Sequence, residues 1–188
     1  GSEMFIRESQ VAVFDTSFHA TIPNYAYLYA LPRQFEDDYH IRKYGFHGTS
    51  HRYISVETAR LSGISPHNLN IVIAHLGNGG SVTAVAQGAS VDTSMGFSPQ
   101  DGIISATRNG SLDPFVLLYM MDQAGLSTEE AVKTLCEQSG LLGISGISGD
   151  VPDLEQARDE GNDRARLAIE AFCYGVKKEI GAMAAVLG

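Results

Sequence analysis

The seven residues His75-Leu76-Gly77-Asn78-Gly79-Gly80-Ser81 constrain this chain more than any other stretch. An apolar run, Leu69–Ala74, precedes them and contains the β-branched residues Ile71, Val72 and Ile73; a second β-rich run, Val82–Val85, follows. A strand ending in glycines lets the backbone approach an anionic ligand closely and turn its amide N–H groups into a concavity. The same Gly79-Gly80 pair between two strands is also a hairpin signal. Turn chemistry alone leaves both readings open.

The surrounding pattern is β-rich first and helical later. Gln10–Phe14 reads as a short strand delivering Asp15 at its end, and Pro23–Pro32 as an aromatic, extended or irregular stretch. The cluster Tyr25–Leu31 is expected to pack in the core, with dimerisation as its other use. Short helices are expected over Arg33–Tyr39 and His51–Leu61, the latter ended by Gly63. Leu69–Ala74, Ser81–Gln87 and Ser90–Thr93 read as consecutive strands with turns at Gly79-Gly80 and Gln87-Gly88. Met95–Gly110 lacks a period and suits a functional loop. Asp113-Pro114 opens a helix to Ala124 that stops at Gly125, and Ser127-Thr128-Glu129-Glu130 is a capping box for the next one. Ile169, Phe172, Val176, Ile180, Met183 and Leu187 share one helical face. The expectation is a layered α/β or α+β domain.

Composition narrows the function. The formal charge of -9 over 188 residues opposes general binding to nucleic acid or to anionic membranes. An anionic substrate would need local arginines and backbone amides to overcome that field. Cys136 and Cys173 fall on helical segments and are expected as a buried thiol pair in a reducing compartment. No stretch is apolar and long enough to span a membrane, and the start lacks a signal-peptide core, so a cytoplasmic protein is expected. No GxGxxG follows a strand and opens a helix, which disfavours a dinucleotide-dependent oxidoreductase.

Several side chains are candidates for chemistry. Asp15 stands either as a strand-end functional group or in a local Asx turn. His47 and His51 lie four apart in Tyr44-Gly45-Phe46-His47-Gly48-Thr49-Ser50-His51 and serve either as capping and packing groups or as part of a metal site. His47 has a third use, donating to phosphate. Arg108, in a loop ahead of a helix, is either a solvated charge or a grip for an oxyanion.

Taken in order, Val13-Phe14-Asp15-Thr16-Ser17-Phe18-His19, Tyr44–Tyr53, His75–Ser81, Val91-Asp92-Thr93-Ser94-Met95-Gly96, Thr107-Arg108, Asp113-Pro114 and Ser139-Gly140-Leu141-Leu142-Gly143 resemble the acetate kinase family, which includes propionate and butyrate kinases. The resemblance implies an actin-like ATPase (ribonuclease H-like) α/β fold, a mixed sheet with flanking helices, present here incompletely. It implies reversible transfer of the γ-phosphoryl of ATP to a short carboxylate, with Mg²⁺ as cofactor and ATP/ADP, carboxylate and acyl phosphate as ligands, in a homodimer. By the same resemblance Asp15, His47 and Arg108 are catalytic. His75, Leu76, Gly77, Asn78 and Gly79 form the phosphate loop, and Asp150, Val151 and Pro152 lie near the nucleotide. Phe46 and Pro99 wall the acyl pocket, and no metal ligand is expected within these residues.

The family's N-terminal segment, its later adenosine loop and its metal-binding glutamate have no match. Residues 11–188 are therefore expected to form part of a second domain, with 1–10 a tag remnant or a non-family segment. Asn109, Ser111, Gly80 and Gln100-Asp101 depart from the family's usual residues, and Pro152 stands where it has an arginine. The alternative expectation is a truncated, catalytically inert module with an association or scaffold role.

Overall fold

A computed structural model describes residues 11–188. Gly1–Gln10, and with them the start of the strand expected over Gln10–Phe14, lie outside the described residues. The rest of that strand does not form: Val11–Phe14 pair with nothing among the described residues, and Val11 and Phe14 are exposed. An apolar pattern specifies a strand only where a ladder receives it.

Three antiparallel strands, β1 (Asn70–Leu76), β2 (Gly80–Ala86) and β3 (Ala89–Thr93), lie in chain order. Both pairings are antiparallel, so the mixed sheet implied by the resemblance is not seen among the described residues. The β2–β3 hairpin turns at Gln87-Gly88 with φ of 53° and 80°, the paired positive values of a type I′ turn. The β1–β2 connection differs from the expected one. Leu76 pairs with Gly80, so Gly80 is a strand residue and the turn is Gly77-Asn78-Gly79. A Cβ on Gly80 would sit 2.6 Å from Ile103 Cδ1, so an alanine there requires that side chain to shift.

β2 is central and buried along nearly its whole length, and its two faces differ. Val82 and Ala84 pack with Ile103 and Met183, against Phe172, Val176 and Leu187 of the long helix α8 (Asp163–Leu187). Ser81 and Thr83 point the other way, where Ser81 meets two histidines and Thr83 meets Thr93. That face is closed by α3 (Gly48–Ser62) and by the 3-10 turn Ser17–Thr21. A second apolar cluster joins Leu141, Leu154, Ala165 and Ala168, with Phe172 touching both clusters.

Local signals predict the helices well. Asp113 caps α4 (Pro114–Ala124) by accepting from Phe115 N, and the capping box of α5 (Thr128–Glu137) is present. The short helices α1 (Asn24–Tyr27) and α2 (Gln34–Asp37) precede α3; α6 (Gly140–Ser145) and α7 (Val151–Asp159) precede α8.

Three core expectations are corrected. Tyr25, Leu28 and Leu31 are exposed, because Tyr27 is instead held by Arg42 and the Tyr29 hydroxyl accepts from Phe97 N, which fixes the stretch on the surface. Cys173 is exposed and Cys136 half-buried, so the thiols are not a buried pair. Ile180 is 40% exposed: it lies at the edge of the α8 face, beside a hollow lined by Leu76 and Val176.

Candidate functional site

The site is assembled from three connections. His47 occupies the N-cap of α3 in the left-handed conformation, φ 57°. Its N–H donates to Asp15 Oδ2 at 2.7 Å, and Gly48 N donates to Asp15 O at 2.9 Å. Asp15 is thus committed across 32 residues and not to a local Asx turn. A Cβ on Gly48 would lie 2.2 Å from Asp15 O, so only glycine allows this approach.

The second connection is Gly77-Asn78-Gly79. The Asn78 carbonyl accepts from Ala106 N at 3.2 Å, which ties the turn to the loop carrying Arg108. A Cβ on Gly79 would meet Arg108 Nη1 at 3.3 Å and His47 Nε2 at 3.5 Å. The missing side chain leaves a hollow no larger than a methyl group between a guanidinium and an imidazole. The His75 ring stacks on His47 at 4.1 Å between centroids, and Ser50 Oγ lies 2.9 Å from His75 Nδ1.

The third connection is the Arg108 loop, and its support comes from α6 rather than from the nearer α4. Ser139 N donates to Thr107 O, Leu141 N to Ser105 O and Leu142 N to Ala106 O, at 2.9–3.0 Å. The N-terminal amides that a helix leaves without internal partners are spent on three successive carbonyls of the loop. Gly140, φ 63°, makes this possible: a Cβ there would lie 2.2 Å from Ser105 O. The Arg108 guanidinium has no carboxylate partner among the described residues.

A groove of about 690 Å³ is lined by Leu76, Gly77, Asn78, Ser105, Asp150, Val151 and Pro152, among others, while Asp15, His47, Gly79 and Arg108 are not in its lining. The structure thus brings the glycine turn and the Asp150–Pro152 segment together. Phe46 and Pro99 do not line that groove. Both are half-buried on neighbouring segments, joined where Tyr44 N and Gly45 N donate to Gly96 O. Among the described residues no group of three or more acidic, histidine or cysteine side chains could hold a metal ion. His47 occupies the N-cap position of α3 without a side-chain cap hydrogen bond, and His51 is fully buried.

Sequence reasoning missed Ser81, His51's burial and Ser105. Ser81 lies two residues past the glycine turn, paired with His75, a usable signal; the buried Ser105 hydroxyl, which has no hydrogen-bond partner among the described residues, gave none.

The electrostatics favour neutral imidazoles. Burial, then the neighbouring His19, His47 and His75, push His51 down to about 3. Burial also lowers His47, helped by His75 and Arg108 and opposed by Asp15. The unfolded chain protonates such a histidine below its ordinary value of 6.5 while the fold keeps it neutral. The His51 contribution to native stability therefore falls as pH drops from 6.5 toward 3, by at most about 1.4 kcal/mol per pH unit, and His47 acts in the same direction. Thermal melts across that range are expected to show a shallower acid slope in His51→Gln; an unchanged slope contradicts this.

Comparison with known proteins fixes the kinship. The sequence profile described as the Acetokinase family matches residues 2–188. The chain belongs to that family. It is 53% identical over 178 residues to an acetate kinase of Caldicellulosiruptor saccharolyticus, covering 95% of this chain and 45% of the relative. An acetate kinase of Desulfitobacterium hafniense is 51% identical with the same coverage. Among solved structures, the acetate kinase of Porphyromonas gingivalis superposes with a TM-score of 0.91 at 41% identity, over 94% of this chain and 44% of that one. A propionate kinase of Francisella tularensis gives 0.89 at 44% identity, over 93% and 44%. The chain spans less than half the length of these acetokinase-family relatives, and the α/β fold is theirs.

Proposed function

We propose that this chain forms part of a phosphotransferase that moves the γ-phosphoryl group of ATP reversibly to a short carboxylate, acetate or propionate, giving an acyl phosphate and ADP. The observation that carries the reading is the approach of two nitrogen donors, Arg108 Nη1 and His47 Nε2, to one glycine of the turn, Gly79. A metaphosphate-like transition state spreads charge over three equatorial oxygens, so positioned donors matter more than a strong base. The carboxylate is already ionised. Its oxygen bonds to the γ-phosphorus as the bond to the β–γ bridging oxygen breaks, and ADP leaves with that electron pair. No proton is removed from the acceptor.

In this reading Arg108 and His47 hold the migrating group and the amides of Gly77–Gly79 face the phosphates. Asp150–Pro152 borders the nucleotide, while Phe46 and Pro99 limit the acyl chain. Asp15 orients His47 through its backbone. Mg²⁺ arriving with the nucleotide would neutralise phosphate charge and needs only one or two carboxylates from the protein. Residues 11–188 then represent part of the second of two domains, in a cytoplasmic homodimer.

Pro152 near the start of α7, where the family resemblance expects arginine, favours a second reading: an inert association module. The full-length protein, incubated with ATP, Mg²⁺ and acetate and trapped with hydroxylamine, is expected to yield acyl hydroxamate. No product with acetate, propionate or butyrate would favour the inert module.

A further inference from the structure

Ser81 opens the run of β2 that follows the glycine turn and is fully buried. Its Oγ lies 2.9 Å from His47 Nδ1 and 2.7 Å from His51 Nε2. These are the only partners of Ser81 Oγ among the described residues, so accepting from both rings would bury its own O–H without an acceptor; it therefore donates to one ring and accepts from the other. Two arrangements satisfy that rule. In the first, His51 Nε2–H donates to Ser81 and Ser81 donates to His47 Nδ1, which puts the His47 proton on Nε2. The second runs in reverse, with His47 Nδ1–H donating to Ser81, Ser81 donating to His51 Nε2, and the His51 proton on Nδ1.

His51 Nδ1 decides between them. It is shut off from solvent and has no hydrogen-bond partner among the described residues. The reverse arrangement would bury an N–H there with nothing to accept it, whereas the forward one leaves only a bare acceptor. Orphaned buried N–H groups are the rarer of the two. The forward arrangement also aims an N–H from His47 into the hollow at Gly79, where the reverse would aim a lone pair at an anion.

We propose that Ser81 and His51 are positioning residues: a one-way chain, His51 Nε2–H to Ser81 Oγ and Ser81 Oγ–H to His47 Nδ1, holds His47 as the neutral tautomer whose Nε2–H faces the Gly79 hollow. The groups facing His47 agree with a neutral ring. Arg108 and the stacked His75 oppose a second positive charge, His19 does so from beneath, and Asp15, whose carboxylate would favour one, is engaged by the His47 backbone N–H. A neutral donor stabilises oxyanion charge without surrendering its proton, which suits an acceptor that needs none. The inference rests on the phosphoryl-transfer reading only for what occupies the hollow.

The test is a multiple-bond ¹H–¹⁵N correlation spectrum of the histidine rings in this chain at neutral pH, assigned with single-histidine variants. Both His47 and His51 are expected to show a pyridine-type Nδ1 and a pyrrole-type Nε2. A pyrrole-type Nδ1 on either ring overturns the proposal. Ser81→Ala is expected to leave His47 as a mixture of tautomers, and Ser81→Thr, which keeps the hydroxyl, to restore the single form. An unchanged His47 pattern in a folded Ser81→Ala chain also overturns it. If that variant does not fold, the parent spectrum alone decides. These spectra do not depend on acyl phosphate formation, so failure of the tautomer assignment is distinguishable from failure of the proposed reaction.

Discussion

Arg108→Ala in the full-length protein is expected to lower acyl phosphate formation by roughly a thousandfold with little loss of stability. The magnitude follows from what a positioned guanidinium contributes to a transferring phosphoryl group, about 10³-fold or more, and from the loss of a single oxyanion donor, about 10²–10³-fold. The small stability effect follows from its surroundings. The guanidinium has no carboxylate partner among the described residues and is one of the groups that hold the His47 imidazole below its ordinary pKa. The carbonyls of Ser105–Thr107 are held by α6 and Arg108 O by Ser105 N whatever the side chain, so truncation removes donors without moving the loop. Arg108→Lys keeps the charge but loses the fork and should recover only part of the rate. Full turnover in Arg108→Ala, measured by hydroxamate trapping, would remove this residue from the reaction.

Gly140→Ala is expected to cost several times more stability than the same change at Gly125. Both glycines have positive φ, 63° and 65°, and a non-glycine residue in that region costs about 1–2 kcal/mol. They differ in space. A Cβ at Gly125 meets nothing within 4 Å, whereas one at Gly140 meets Ser105 O at 2.2 Å, Arg108 O at 2.8 Å and Arg108 N at 2.9 Å. Those three atoms are backbone, so no rotamer change relieves the contact, and the loop must leave the amides of α6. At about 2–4 °C per kcal/mol for a chain of this size, thermal melts should separate the two variants by roughly 10 °C. Equal melting temperatures would show that the Arg108 loop is not braced in this way.

What the sequence makes legible is what local chemistry decides. The Gln87-Gly88 turn, the Asp113 cap with Pro114 at the first helical position, and the reciprocal bonds of Ser127 and Glu130 each need only a few neighbouring residues. Family motifs carried Asp15, His47, Asn78 and Arg108, and these converge: Asp15 holds His47, Asn78 is tied to Ala106, and His47 and Arg108 share Gly79. The part that could not be read is long-range. α6 is six residues with two glycines, too weak a pattern to stand alone; it exists where loop carbonyls fill its free amides. The Ser81–His51 contact spans 30 positions and joins a strand to a helix face. Val11–Phe14 has the residues of a strand but nothing among the described residues to pair with. Tyr25 and Leu31 look like core by composition and lie outside because the Tyr27–Arg42 and Tyr29–Phe97 contacts fix their stretch on the surface.

Convergence on one anionic group is tested most directly by titrating the isotopically labelled chain with ATP and Mg²⁺ while following its ¹⁵N resonances. Saturable shifts are expected at the amides of Gly77, Asn78 and Gly79, at Arg108 Nε and at the His47 ring, with α4 and α5 unaffected. Shifts confined to other surfaces, or a spectrum that does not change at all, would contradict a phosphate site built from these residues.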